Sequence, residues 1–338
     1  MSAASPLPHP ERGESMRTSF HPARKETGMT IMNGVYINGL DNATTNVNTT
    51  AQAGGTATAD YILFSLTVPD QTGTVYYGLG NNVLASNGAV APAAAAILAP
   101  VVTAGVTKGN CTKVWLSLGG AGSPTVSNET FSNISTILAK GGTAATNLVQ
   151  NLAALATSMK ALSSKITSVG FDLDNEDASP SSVVPLVAAL YNHGIKQSPA
   201  VKYPFTFCAY QDDSDWFDAL AGVYSALNGV QPVVGITLQV YAGGRNNNPV
   251  TWTQDLANYL QKPGSKPTGL SSAEGFILPI QSMDDTAGPV YTPGQMTSNL
   301  RRWRSTGGSF WATQALFQSP PPQRWPDYAS AIASGISS

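Results

Sequence analysis

Asp172, Asp174 and Glu176 occupy alternate positions in the run Asp172-Leu173-Asp174-Asn175-Glu176. The run continues Ile166-Thr167-Ser168-Val169-Gly170-Phe171, an apolar stretch that reads as a buried strand. Side chains alternate faces along a strand, so the three carboxylates project the same way. Only 11% of the residues are charged, and a chain so sparing of charge has little structural reason to crowd three of one sign. The chemical reason is plain: crowding raises one carboxyl pKa and leaves a proton donor beside an ionised neighbour. Two other readings of the row are a structural ion-pair cluster and a calcium loop. A calcium loop sets several oxygens on a turn, often with Gly at its sixth position, whereas here a strand leads in.

Few other residues offer competing chemistry. Cys111 and Cys208 are the two cysteines, too few for a disulfide framework or a Cys-rich zinc site. Of the three histidines, His9 and His21 lie in a polar leader. His193 precedes Gly194 at an expected helix end, where a positive imidazole suits the helix dipole. A Ser-His-Asp triad, a Cys-His pair and a His-based metal site are therefore poorly supported. Gly78-Leu79-Gly80 lacks the third glycine of a dinucleotide fingerprint, and no phosphate loop occurs. No metal and no cofactor is expected. The net charge is −2, and the Arg301, Arg302, Arg304 cluster reads as a solvated helix face, which argues against nucleic acid as a partner. No stretch is long and apolar enough to span a membrane. Five N-x-[ST] sequons, at Asn42, Asn48, Asn110, Asn128 and Asn133, are explained by chance in a Thr- and Asn-rich chain at least as well as by glycosylation.

The elements that must hold the carboxylates follow from periodicity. Eight candidate strands are Gly34–Ile37, Tyr61–Leu66, Val114–Leu118, Ile166–Leu173, Phe205–Ala209, Ile236–Tyr241, Gly275–Ile280 and Gly308–Ala312. Helical patterns lie between several of them. Ala144–Ser163 carries Leu148, Leu152, Leu155, Met159 and Leu162 at helical spacing; Ser181–Tyr191, Trp216–Leu227, Val250–Leu260 and Pro293–Arg304 follow, and Tyr328–Ile336 is a last covering helix. The long Ala- and Gly-rich stretch from about Pro69 to Lys113 has one candidate helix, Ala91–Leu98. Alternating strand and helix argue for a parallel sheet, and eight repeats argue for an α/β fold of one closed (β/α)8 TIM barrel. Residues 31–338 are assigned to this barrel. Residues 1–30, rich in Pro, Ser, Arg and Glu, read as a disordered or irregular leader and not as a signal peptide; Met16 and Met29 are alternative starts. In such a barrel chemistry sits at the carboxyl ends of strands, which is where the acidic row falls.

Four motifs in order resemble glycoside hydrolase family 18, the chitinases and endo-β-N-acetylglucosaminidases, with the plant-type and fungal branch nearest. Gly170-Phe171-Asp172-Leu173-Asp174-Asn175-Glu176 resembles the D-G-x-D-x-D-x-E signature. Ser117-Leu118-Gly119-Gly120 resembles the S-x-G-G motif of strand three, Gln239-Val240-Tyr241 the Q-x-Y of strand six, and Gly308-Ser309-Phe310-Trp311 the strand-eight end that supplies a tryptophan. The chain departs from the pattern at Val169, which stands for the first Asp, at Asn175 and Asp177 around the glutamate, and at Ala242 after the tyrosine.

The resemblance implies roles. Glu176 would protonate the glycosidic oxygen. Asp174 would orient the substrate's own N-acetyl group, whose carbonyl oxygen attacks the anomeric carbon to form an oxazolinium ion, an exception to the two-carboxylate retaining scheme. Asp172 would sit deeper and tune Asp174, and Tyr241 would hydrogen-bond the acetamido group. Trp311 would floor the sugar at the cleavage point, with Gln239, Tyr36 and Phe64 completing the substrate-binding set. The implied partner is an oligosaccharide containing N-acetylglucosamine, bound by a monomer; that substrate class favours action outside the cell, no export signal is visible, and the compartment is left open. A non-catalytic carbohydrate-binding protein on the same barrel is the alternative. Plainer readings stand beside these: Trp311 and Tyr241 as core or rim aromatics, and Ser117 with Gly119-Gly120 as a tight turn. The barrel also sets Cys111 at the lower rim and Cys208 near the upper end of strand five, too far apart for a disulfide.

Overall fold

The computed structural model describes residues 33–38, 40, 57–78, 82–121, 128–283, 289–311 and 325–336. The 1–30 leader, Leu79 and Gly80, and the sequons at Asn42 and Asn48 lie outside them.

Strands β1 (Gly34–Ile37) and β2 (Asp60–Thr67) are followed by a meander of β3 (Val75–Tyr77), β4 (Asn82–Ser86) and β5 (Ala89–Val90). Two helices, α1 (Pro92–Ile97) and α2 (Ala99–Lys108), lead to β6 (Lys113–Gly119). Next come α3 (Thr130–Lys140), α4 (Gly142–Ala161), β7 (Ser168–Asp174), α5 (Val183–Ile195), β8 (Phe205–Ala209), α6 (Asp213–Ala226) and β9 (Val233–Gln239). The chain finishes with α7 (Pro249–Gln261), β10 (Ile277–Ser282), α8 (Pro293–Trp303), β11 (Ser309–Trp311) and α9 (Trp325–Ile336).

Every strand from β6 to β11 pairs in parallel with the next; β2 pairs with β6, and β1 pairs with both β2 and β11. The sheet therefore closes on itself as the expected eight-stranded barrel, with helices outside. All seven residues of β7 are buried, because both faces are covered. Val169, Phe171 and Leu173 join the outer core beneath the helices, which leaves Gly170, Asp172 and Asp174 for the interior. Val169 is thus an outward core residue and puts no charge into the barrel.

The interior holds a second apolar cluster of Tyr36, Ile62, Trp115, Cys208, Tyr241, Leu278 and Ile280. Trp115 fills the lower part, and glycine makes room for it: a Cβ on Gly170 would lie 2.7 Å from the indole. The indole N–H donates to Asp60 Oδ1 at 3.0 Å, and Lys113 Nζ lies 3.6 Å from the same oxygen. This pair, with Asp60 buried and Lys113 half-buried, closes the end of the barrel away from the acidic row.

The strand ends differ in detail from the sequence reading. β9 stops at Gln239, and Tyr241 lies beyond it at the head of a short turn over Ala242–Gly244. The stretch after β2 carries the meander and two helices where one helix is expected, and α3 is additional. The meander forms because β2 bulges between Leu63 and Leu66, with Ser65 at φ 68°, so that its end turns outward to pair with β3. Asn151 of α4 ties the meander down, donating to the Gly73 carbonyl at 2.7 Å and accepting the Gly88 N–H at 2.7 Å. His193 also differs. Burial and the neighbouring Lys196 hold its imidazole below the ordinary value, which favours the neutral ring over the expected positive cap. Asn128 and Asn133 are buried and donate to the carbonyls of Gly120 and Val68, so these two sequons serve the fold.

Candidate active site

The acidic row ends β7 at the carboxyl side of the barrel. Asp172, the deepest, is fully buried and accepts four hydroxyl hydrogens: Tyr36 Oη and Ser117 Oγ reach Oδ2 at 3.1 and 2.8 Å, while Thr206 Oγ1 and Thr237 Oγ1 reach Oδ1 at 2.6 and 3.0 Å. The donors come from β1, β6, β8 and β9. Burial pushes this carboxyl up, and the four hydroxyls oppose the shift by stabilising the charged form.

Asp174 is 3% exposed and Glu176 is half-buried. The Gln239 amide binds both, with Nε2 at 3.2 Å from Asp174 Oδ1 and 3.0 Å from Glu176 Oε1. Burial lifts Asp174 well above the ordinary carboxyl value; Glu176 and then Asp172 add to the shift, while Cys208 and Gln239 oppose it. Burial also raises Glu176, against hydrogen bonds from Gln239 and Asp174 and with help from Asp177. Two carboxyls this close titrate as a unit, and desolvation makes the unit keep a proton to higher pH than a free carboxyl. Burial thus raises the proton affinity of all three carboxyls of the row.

The backbone around the pair is tightly specified. Gly119 and Gly120 have φ of 98° and 92°. The Gly120 N–H donates to the Asp174 carbonyl at 2.8 Å. A Cβ on Gly119 would lie 2.2 Å from that carbonyl oxygen, and one on Gly120 would lie 2.5 Å from Phe64 Cζ. The left-handed backbone and the close approach both require glycine. The Ser117 motif is therefore a turn and also a carboxylate ligand.

Beyond β7 the loop is anchored from both sides. Asn175 donates to the Ser179 carbonyl and Ser182 Oγ, both at 3.0 Å, and accepts the Ala178 N–H at 3.1 Å. Asp177 accepts the N–H groups of Phe131 and Ser132 at 3.1 and 2.9 Å, capping the start of α3 from outside that helix. Asp177→Ala leaves two helix-terminal donors without that partner, and is expected to cost about 1 kcal/mol. Urea denaturation of the two proteins measures it; an unchanged midpoint would show that the contact carries no stability.

An aromatic wall stands beside the carboxylates. Tyr241 and Trp311 stack with centroids 5.9 Å apart at 23°. Phe64 meets Trp311 edge-on at 5.7 Å and Tyr36 at 6.3 Å. Phe64 adjoins the β2 bulge, which turns it toward this wall. The buried indole N–H of Trp311 has no hydrogen-bond partner among the described residues. Tyr36 joins the two groups, bonded to Asp172 and touching Phe64. All eight residues singled out from the sequence thus meet in one place. Those the sequence reading passed over are Thr206 and Thr237, whose signal was a polar side chain in an apolar strand, two residues from another inward-facing position; Cys208 stands near the upper end of strand five as expected, unpaired with Cys111, and in register with Asp174.

Among the described residues no group of three or more His, Cys, Asp or Glu side chains is placed to hold a metal ion, and no helix is long and apolar enough to cross a membrane. A cavity of about 520 Å³, lined by Thr253, Glu274, Arg302 and Ser305 among others, shares no residue with the carboxylates.

No protein-family model and no curated protein sequence matches this chain. Solved structures do. A chitinase-like agglutinin from Robinia pseudoacacia is 10% identical, over 90% of this chain and 100% of its own, with a TM-score of 0.56. A fungal endo-β-N-acetylglucosaminidase of glycosyl hydrolase family 18 is 12% identical, over 88% and 96%, with a TM-score of 0.52. A family 18 chitinase from Cycas revoluta, a mutant in complex with (GlcNAc)4, is 12% identical, over 91% and 100%, with a TM-score of 0.52. The fold is a (β/α)8 barrel, the architecture that these solved structures share. At these identities the likeness is one of architecture. This architecture occurs in proteins described as chitinases, as an endo-β-N-acetylglucosaminidase and as a chitinase-like agglutinin, so the fold alone does not decide what a chain does.

Proposed function

We propose that this chain is a retaining glycoside hydrolase that cleaves β-1,4-linked N-acetylglucosamine, in chitin, chitooligosaccharides or the N-glycan core, by substrate-assisted catalysis. The observation that carries the reading is the Gln239 amide bridging Asp174 and Glu176, two carboxyls that burial holds above their ordinary values. An acid must still hold its proton near neutrality, and a cationic intermediate needs negative charge beside it. This pair supplies both from one shared proton.

In the mechanism, Glu176 gives its proton to the glycosidic oxygen as the bond to the anomeric carbon breaks. The carbonyl oxygen of the sugar's own acetamido group attacks that carbon from the opposite face. Asp174, ionised, accepts the acetamido N–H and balances the positive oxazolinium ion. Glu176, now a carboxylate, takes a proton from water, whose oxygen opens the ring and restores the β configuration. Asp172, held by its four hydroxyls, keeps a second negative charge behind Asp174. Tyr241 holds the acetamido group, and Trp311 offers an apolar face to the sugar. Both already stack as a surface of that kind.

The test is release of 4-methylumbelliferone from its chitobiose and chitotriose glycosides, with chitin and N-glycans as further substrates. Turnover with retention of configuration is expected. A protein that binds these sugars and cleaves none of them would be a lectin, as the resemblance to an agglutinin allows.

A further inference from the structure

The cavity of about 520 Å³ away from the carboxylates lies on the outside of the barrel, between α7 and the end of α8. Its apolar side is made by Ile277 of the outer core, Ala257 and the half-buried indole of Trp303. Its polar side carries both signs of charge: Glu274 from the segment before β10, and Arg302 and Arg304 from the end of α8. Among the described residues neither the Glu274 carboxylate nor the Arg304 guanidinium has an ion-pair partner. Arg302 is steadied by donation to Asn299 Oδ1 at 3.1 Å and lies 5.6 Å from the centre of the Trp303 ring. The chain leaves α8 through left-handed backbone at Arg304, φ 52°, and the Ser305 N–H donates back to the Leu300 carbonyl at 3.0 Å. That turn sets Ser305 in the cavity lining. Ser305 is 9% exposed, and its hydroxyl has no hydrogen-bond partner among the described residues. Buried polar groups are seldom left so, and this one awaits a donor or acceptor from outside the chain.

We propose that this cavity is a second sugar-binding site, which takes a neutral pyranose ring of an oligosaccharide on the outside of the barrel. The charges select the ligand. A carboxylate only accepts hydrogen bonds and a guanidinium only donates them. An anion would set its charge against Glu274, and a cation would set its own against two arginines. A sugar hydroxyl both donates and accepts, so one ring can donate to Glu274, accept from Arg302 or Arg304, and pair with the Ser305 hydroxyl. The C–H face of the ring suits the indole and the aliphatic side of the cavity. The volume falls within the ordinary range of small-molecule sites. The proposal uses no residue of the cleft and does not depend on the hydrolase reading.

The test follows the indole N–H signals of the six tryptophans by nuclear magnetic resonance, with Trp303→Phe and Trp311→Phe variants to identify two of them. Chitotetraose and cellotetraose are titrated into the Glu176→Gln protein, so that no sugar is consumed. A saturable shift of the Trp303 signal with either sugar is expected; a response to chitotetraose alone would mean that the acetamido groups are read as well as the ring. Glu274→Ala and Arg302→Ala, both at exposed side chains, should each weaken that titration about tenfold, the worth of a hydrogen bond to a charged group. The Trp311 titration, which reports the cleft, and turnover of the soluble chitotrioside in an otherwise wild-type chain should not change. A Trp303 signal that neither sugar moves, or a titration that neither substitution weakens, overturns the proposal. So does a signal moved by sulfate and by neither sugar, which would make the cavity an anion site. If the wild type cleaves no glycoside, the hydrolase reading fails by itself, and the Trp303 titration still decides this site.

Discussion

Glu176→Gln is expected to lower kcat on the 4-methylumbelliferyl chitotrioside by about 10²–10⁴-fold, the usual contribution of a positioned general acid. The affinity for chitooligosaccharides should hardly change. The reason lies in the shape of the site. A glutamine side chain fills the same volume, and its amide oxygen still accepts the Gln239 hydrogen that now reaches Glu176 Oε1. The aromatic wall of Tyr241, Trp311 and Phe64 is untouched. Only the transferable proton is lost. Calorimetry with chitotetraose beside the turnover assay separates the two effects. A variant with wild-type kcat would remove Glu176 from the reaction, and with it the hydrolase mechanism proposed above.

Asp174→Asn should cut kcat on the order of 10²-fold, since it removes the charge beside the oxazolinium ion, and it should make the protein more stable at neutral pH. The second effect follows from linkage. Burial, Glu176 and Asp172 raise the Asp174 carboxyl in the folded protein, whereas in the unfolded chain it titrates near pH 4. Asp174 and Glu176 titrate together, so the folded pair keeps one proton that the unfolded chain has released. Stability from that proton is fully present below the unfolded pKa and is lost as pH rises through the higher folded value. Asparagine does not titrate, so its advantage in melting temperature over the wild type should grow from acid toward neutral pH. Its amide can still accept from Gln239 and can donate to Glu176. A difference in melting temperature independent of pH would show that Asp174 is not held above its ordinary value. Gaining stability while losing rate is the signature of a site whose charges are kept for function.

The sites legible in the sequence share one property: their signal is local. Alternation along Val169–Glu176 placed Asp172, Asp174 and Glu176 on one face, and the structure shows the three linked through one cluster. The Ser117-Leu118-Gly119-Gly120 turn was equally visible, because positive φ at consecutive residues leaves a pair of glycines in the chain. Helix α8, expected over Pro293–Arg304, forms over Pro293–Trp303 and opens on a capping box in which Thr292 and Gln295 bind each other's backbone N–H groups. The meander escaped notice because its strands are two to five residues long. They owe their place to a bulge in β2 and to Asn151 on a distant helix.

From the sequence alone came the repeating strand–helix rhythm, the single acidic face and the glycine turn beside it, since each is written in neighbouring residues. Tertiary structure decided what surrounds those carboxylates. Tyr36, Ser117, Thr206 and Thr237, which lie 34 to 136 positions from Asp172 in the chain, converge on it only because their four strands close in one register. Cys208 reaches Asp174 for the same reason. A carboxyl's proton affinity is set by burial and by the donors aimed at it, and both are properties of the closed barrel.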